Sequence, residues 1–438
     1  MNVGLVTLLM FGSLVVGLSL GLPVSFVLGG VAVIFSFLLW GPASLLNVAL
    51  IAVDLEKTIV LVPIPLFVFM AIVLERSGIV DDLYEMIYRW AGPLRGGLAM
   101  GTVVIATIFA AMSGIVGAGT VTMALIALPS MLKRGYDKRM AIGVVCAGGA
   151  LGQLIPPSVD MILYGFIAKE SVGKLFAGGV IPGLVLAFLY ILYVAVRCGI
   201  QPAMGPALPP ADRATWSQKF ASVKAVLLPI LLVIGVLGSI FGGLATPTES
   251  AAIGAVGAIV CSAVYRRLNW VNLRESAYRA LRVTSMVMWI VLAASVFASV
   301  YQALGAVELM KGALTNLPFG RWGVMLTIQV IFFIMGCFMD DTAIMMITIP
   351  VFLPVIKALG FDTVWFGVLF IVNMQMGFLT PPYGFTLFYV RGVAPEGVTM
   401  GDIYRGVWPF VGLQAVGLLV VMIFPALILW LPNLIFPG

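Results

Sequence analysis

Apolar residues run along this chain in long continuous blocks, separated by short breaks of charge, glycine or proline. The first two blocks, residues 5–20 and 23–40, meet at the turn "GLP", and a third covers 58–74. A membrane-spanning helix needs ~20 such residues, so the blocks allow roughly ten to fourteen membrane segments. A transmembrane β-barrel is excluded, because its strands alternate apolar and polar positions. One stretch, "ERSGIVDDLYEMIYRWAGPLRGG", has a different period. There Leu83, Met86, Ile87 and Trp90 share one helical face while Asp81, Asp82, Glu85 and Arg89 lie elsewhere, which predicts either a helix lying along the membrane surface or an ordinary loop helix.

Two blocks are broken from within. "GQLIPPSVDMILYG", residues 152–165, carries consecutive prolines and an aspartate where a continuous helix is expected. Pro156 and Pro157 remove two amide donors and clash with the preceding turn, which leaves carbonyls near 153–155 without helical partners. At membrane depth such groups cost several kcal/mol each unless protein, water or a cation satisfies them. The break recurs. Aligning "GYDKRMAIGVVCAGGALGQLIPPSVDMILY" with "GFDTVWFGVLFIVNMQMGFLTPPYGFTLFY" at one constant offset superposes Gly135 on Gly360, Asp137 on Asp362, Gly152 on Gly377, Pro156 and Pro157 on Pro381 and Pro382, and Tyr164 on Tyr389. Gly, Asp and Pro-Pro are backbone punctuators, so their coincidence marks a repeat rather than shared hydrophobicity.

Upstream of each break lies a second interruption, "AAMSGIVGAGTVT" at 110–122 and "IMGCFMDDTAIMM" at 334–346. Each reads as a re-entrant hairpin of two half-length helices, with two tilted, kinked spanning helices as the alternative. Positive charge gathers at 133–139, 197–224 and 266–282, which places those loops in the cytoplasm. The second-half counterpart of "KRGYDKR" is "KALGFDT", with a single lysine, so the charge rule favours an inverted second copy. Four interrupted elements then meet at mid-membrane. Half-helix N-termini present amides to an anionic substrate, while freed carbonyls with Ser113, Thr120, Thr342 or Thr380 suit a hard cation such as Na⁺.

Asp160, Asp340 and Asp341 are the acids nearest these breaks, and an acid at membrane depth is a functional candidate. Asp340 or Asp341 also suits the role of cap for a half-helix starting at Thr342. Asp160 is open to cation binding, proton carriage or pairing with a base. "ATPTESAAIGAVGA" at 245–258 has a structural reading: Thr246, Pro247 and Glu249 form a capping box at a helix start.

Composition narrows the class. The 438 residues are 62% hydrophobic and only 10% charged, with a mean hydropathy of +1.16, values a soluble domain of this length does not sustain. The four cysteines, Cys146, Cys198, Cys261 and Cys337, lie in or beside apolar blocks without metal-ligand spacing, and the chain has no histidine. They read as small buried residues, and triads or typical zinc sites are disfavoured. A net charge of +6 fits the positive-inside bias and gives no nucleic-acid surface. The first block lacks a basic leader segment and reads as a retained helix.

"GQLIPPS" with "MILYG", "GGLATPTESAA", "DDTAIMMITIPVFLPVIKALGFD", "WFGV" and "GFLTPPYGFTLF" resemble the large membrane subunit of tripartite ATP-independent periplasmic (TRAP) transporters, the DctM-like family, over essentially the whole chain. The resemblance implies an all-α polytopic membrane protein of the ion-transporter superfamily, an inverted repeat with two re-entrant hairpins and two broken helices that works as an elevator. It implies Na⁺-coupled import of an organic acid (dicarboxylate, keto acid or sugar acid) across the bacterial inner membrane. The implied partners are a small four-helix DctQ-like membrane subunit, expected as a separate chain because no four-helix extension precedes the first block, and a periplasmic DctP-like solute-binding protein. Carried onto this chain, the substrate site falls on Ser113, Gly114, Ser158, Asp160, Thr380 and Tyr383. Na⁺ falls on Ser113, Gly117, Ile155, Pro156, Met339, Asp340, Thr342, Thr380 and Pro381, largely through backbone carbonyls. The tip "SGIVGAGT" is poorer in hydroxyls than the family pattern, and Asp160 stands where the family usually has an apolar residue.

The expected organisation is scaffold helices and the surface helix in 1–95, a first transport repeat in 96–200, a polar linker in 201–224, second scaffold helices in 225–320, a second transport repeat in 321–404 and a C-terminal helix in 405–438. A self-sufficient Na⁺- or H⁺-coupled carboxylate carrier on the same plan is the alternative function. An intramembrane enzyme would need Asp160 paired with Asp340 or Asp341, which the sequence does not show, and no nucleophile motif or P-loop accompanies them.

Overall fold

The computed structural model describes residues 3–224, 226–306, 308, 312, 320–382 and 384–437. The described residues hold helices and no strand: α1 (Val3–Ser19), α2 (Val24–Trp40), α3 (Leu45–Glu56), α4 (Pro63–Arg76), α5 (Ile79–Ala91), α6 (Gly97–Ser113), α7 (Val116–Lys133), α8 (Lys138–Ala150), α9 (Val159–Ala168), α10 (Val172–Ile200), α11 (Trp216–Lys224), α12 (Leu227–Phe241), α13 (Pro247–Val264), α14 (Trp270–Ala303), α15 (Gly320–Gly336), α16 (Asp341–Ala358), α17 (Thr363–Leu379), α18 (Phe385–Val393), α19 (Met400–Ile423) and α20 (Ala426–Ile435). Among them, seven stretches are long and apolar enough to cross a bilayer, or eight if α11 and α12 count as one, and several apolar helices fall short of that length. The chain is a multi-pass membrane protein.

The repeat governs the architecture. α6 to α10 recur as α15 to α19, and the punctuating residues do the same work in each copy. Gly135 and Gly360 both turn with positive φ, 75° and 72°. Asp137 and Asp362 both cap the following helix, accepting from the amides of Met140 and Trp365 at 2.9 Å. Both Pro-Pro bonds, Pro156-Pro157 and Pro381-Pro382, are cis. The copies also exchange partners. α19 packs on α8 as α10 packs on α17, and α18 packs on α7 as α9 packs on α16. The core is therefore one continuous apolar cluster shared by both repeats.

One sequence expectation changes on the structure and two gain detail. The amphipathic helix exists as α5, but its apolar face is covered by protein: Ile79, Val80, Leu83 and Ile87 are buried, and Trp90 packs edge-on against Trp216 and Phe220 of α11. The basic segment 266–282 is not a loop through most of its length. α14 starts at Trp270 and runs 34 residues, about 51 Å against a hydrocarbon core of about 30 Å, so its first turns carry Arg274, Arg279 and Arg282 beyond the apolar zone. There Arg279 faces Glu75 at 3.8 Å, and Arg76 pairs with Glu275.

The polar segment 201–224, expected as the linker between the two halves, is held against the first repeat. It is tied down by backbone bonds from Gly96 to the Gly205 carbonyl, from Leu208 to that of Gly92 and from Asp137 to that of Met204, at 2.8–3.0 Å, and it ends in α11. Close by, the buried Tyr136 hydroxyl accepts from the Leu98 amide at 3.1 Å; burial pushes that phenol up to about 12, so it stays neutral. The capping box at α13 forms as expected, with Thr246 and Glu249 each accepting from the other's amide. All four cysteines are buried free thiols.

Candidate functional site

Each repeat supplies two helix starts to one place. The hairpins form: α6 and α7 join through 114–115, and α15 and α16 through 337–340. The broken helices form too. α8 ends at Ala150, continues as a 3₁₀ turn to Gln153, and is followed by irregular chain until Ser158 opens α9. In the second copy the first half persists to Leu379 before α18 opens at Phe385. The first break is thus longer than the second.

The starts of α7, α9, α16 and α18 converge on a cavity of about 130 Å³. Its wall holds residues 114–117 at the first hairpin tip, Gln153, Val159 and Asp160 from the first broken helix, and Asp340, Asp341 and Thr342 from the second hairpin tip. Phe378, Phe385 and Tyr389 of the second broken helix complete that side. Opposite lies an apolar face of Val68 on α4 and Val283, Met286, Val287 and Ile290 on α14.

Polar contacts in this wall are specific. Asp341 Oδ1 accepts from the Thr342 amide at 2.7 Å, and its other oxygen accepts from the Gln153 Nε2. Asp160 lies against Asp341, so the structure brings together two acids that the sequence left unconnected. Asp340 occupies the N-cap position of α16, where its side chain makes no capping hydrogen bond. The Gln153 Oε1 is buried without a hydrogen-bond partner. Gln153 is among the wall residues that sequence reasoning passed over; a polar side chain beside a Pro-Pro break was its only signal.

Of the sequence-derived site residues, Gly114, Gly117, Asp160, Asp340 and Thr342 line this cavity together. Ser158 is fully buried and caps α9, accepting from the Met161 amide at 3.4 Å. Thr380 donates to the Met376 carbonyl at 2.7 Å. Ser113 faces a separate narrow gap with Gly149 and Gly152, and its Oγ is buried without a partner. Ile155 and Pro156 are buried outside the cavity wall, while Met339 and Pro381 are partly buried. Tyr383 lies outside the described residues.

The hairpin tip is fixed by close approach. Gly114 has φ +59°, and a Cβ there would stand 2.3 Å from the Pro157 carbonyl oxygen. Gly117 meets the Tyr389 ring, which would lie 3.2 Å from a Cβ. The combination of helix starts, acids and an unpaired acceptor is suited to holding a small charged solute.

Comparison with known proteins agrees with this geometry. Residues 11–427 match the family model described as "Tripartite ATP-independent periplasmic transporter, DctM component". The C4-dicarboxylate TRAP transporter large permease protein of Pseudomonas aeruginosa is 33% identical over 92% of this chain and 93% of its own. The ectoine/5-hydroxyectoine TRAP transporter large permease protein of Ruegeria pomeroyi is 30% identical over 86% of each. Among solved structures, the Alcanivorax borkumensis YdaH transporter superposes with a TM-score of 0.63 at 15% identity, covering 93% of this chain and 98% of that one, which is likeness of fold.

Proposed function

The chain belongs to the DctM family of large permease components of TRAP transporters, and from that premise we propose that it carries an organic acid into the cell through the cavity where its four helix starts meet, driven by Na⁺. It is a transporter component and no enzyme. The observation that carries the proposal is the convergence itself: two repeats each deliver a hairpin tip and a broken-helix start to one small cavity facing α4 and α14. Exposed amides at helix starts favour a carboxylate. The starts of α7 and α18 have no acidic residue in their first turn, so no carboxylate of their own opposes an anion there.

Na⁺ would be held beside this cavity, at the hairpin tips and helix breaks that bound it. Ser113, with its unpaired Oγ, sits beside Gly149 and Gly152 in the first copy, and Ile155 and Pro156 lie in the irregular chain that follows Gln153. In the second copy, Met339, Thr342, Thr380 and Pro381 bracket the corresponding break. Carbonyl and hydroxyl oxygens are the donors a hard cation takes.

The proposed setting is the bacterial inner membrane, with a DctQ-like small subunit and a DctP-like binding protein as partners. Relatives with this architecture carry names for C4-dicarboxylate and for ectoine, so family membership alone leaves the substrate open. The tripartite reading is tested by uptake in cells that express the chain with and without each proposed partner. Loss of uptake on omitting either supports it; undiminished uptake without the binding protein establishes a self-sufficient carrier instead.

A further inference from the structure

We propose that the chain carries a second binding site, away from the central cavity, where α8, α10 and α19 meet and three arginines hold the phosphodiester of an anionic phospholipid. The inference is independent of what the central cavity carries.

The site is a cavity of about 200 Å³ whose lining includes Arg139, Arg197 and Arg405. Each comes from a different element: Arg139 from the start of α8, Arg197 from the last turn of α10 and Arg405 from the second turn of α19. Both repeats contribute, and the packing of α19 on α8 and α10 gathers like charges around one concavity. The one acid among the described lining residues is Asp137, whose Oδ1 already accepts from the Met140 amide at 2.9 Å. Three guanidiniums against one carboxylate leave an excess of positive charge that repels itself. The neighbouring cation is matched: Lys138 donates to the Gly397 carbonyl at 2.8 Å and pairs with Asp402 at 3.4 Å. Among the described residues, none of the three arginines is in an ion pair. A positive surface that only marks the side of the membrane has no need of a shared cavity. Arginines from three helices around one cavity suit an anion with several oxygens, as a phosphate has.

The surroundings select a membrane lipid as the source of that phosphate. Leu192 and Val196 precede Arg197 on α10, and Trp408 follows Arg405 on α19; all three are exposed apolar side chains. They lie on the membrane side of the arginines and offer acyl chains a surface, with Trp a residue of the headgroup level. Beneath the arginines, Phe410 packs edge-on against Tyr193 at 5.3 Å and Tyr190 at 5.6 Å. The start of α8 and the end of α10 belong to the basic segments that the charge rule turns to the cytoplasm, the side on which basic pockets between membrane helices take anionic headgroups.

The test is lipid binding to the whole chain, delipidated in detergent and titrated with phosphatidylglycerol or with phosphatidylcholine of matched acyl chains, the bound lipid being counted by native mass spectrometry. Phosphatidylglycerol is expected to bind at least tenfold more tightly, since each basic residue near a membrane surface adds about fivefold. Arg197→Gln with Arg405→Gln should bring the two lipids to within about twofold of each other. Arg139→Gln, which alters the site from α8 alone, should lower the preference severalfold, and it decides the matter if the double variant does not fold. Arg274→Gln with Arg282→Gln, an equal loss of charge at the start of α14, should keep the preference. Inorganic phosphate in hundredfold excess should leave the lipid in place. Equal binding of both lipids by the wild type, an unchanged preference in Arg139→Gln, or a loss as large in the α14 variant as in the site variant overturns the inference. Displacement by inorganic phosphate also overturns it, and makes the cavity a site for a soluble phosphate instead.

Discussion

At the scale of single residues, Gly114 shows how tightly the first hairpin tip is specified. Its positive φ and the 2.3 Å approach that a Cβ would make to the Pro157 carbonyl leave no room for a side chain. Gly114→Ala is expected to lower stability by about 1–3 kcal/mol and to abolish uptake, read by unfolding of the purified protein and by transport; wild-type values in both would refute the tight docking. Ser113 predicts the opposite split. Its Oγ is buried and unpaired, so Ser113→Ala should leave the unfolding midpoint unchanged or raised, since no hydrogen bond is lost. If Ser113 serves Na⁺, the concentration for half-maximal activation should still rise several-fold; an unchanged Na⁺ response would remove it from the ion site. Ser158 and Asp160 could be placed from sequence because Pro-Pro fixes where α9 starts. Gln153 could not, because its side-chain direction depends on the 3₁₀ turn and irregular chain between α8 and α9.

At the scale of elements, punctuation was readable and packing partners were not. The capping box at Thr246 and Glu249, the aspartate caps of α8 and α17 and both helix breaks follow from residue types with strong backbone preferences. Thr246→Ala should therefore cost about 1 kcal/mol, seen as a lowered midpoint in denaturant titration, with transport retained in the folded fraction; no change in midpoint would show that the capping box adds nothing there. By contrast, a hydrophobic face on α5 reads the same whether lipid or protein covers it, and only the structure shows α6 and α11 doing so. The helical start of α14 was hidden for a related reason: its first turns are rich in Arg, and charge signals a membrane boundary without saying whether the helix continues past it. α3 was missed because Asn47, Asp54 and Glu56 interrupt its apolar pattern.

At the scale of the whole molecule, the cavity is closed on one side by the repeats and on the other by α4 and α14, and an elevator of the kind the family resemblance implies would slide along this boundary. Thr122 of α7 donates to Glu75 of α4 across it at 3.5 Å. Cysteines at these two positions, joined by a short bifunctional thiol reagent, should halt uptake, and cleavage of the link should restore it; linked protein that transports at the wild-type rate would show that α4 and α7 move together. The most direct measurement of the central claim is modification of Val287→Cys, a cavity-wall position on α14, in proteoliposomes holding the full complex under an inward Na⁺ gradient. If the cavity is the transport site, a charged thiol reagent stops uptake, and Na⁺ with substrate slows the modification at least tenfold. Labelled protein that transports at its unlabelled rate would contradict the account.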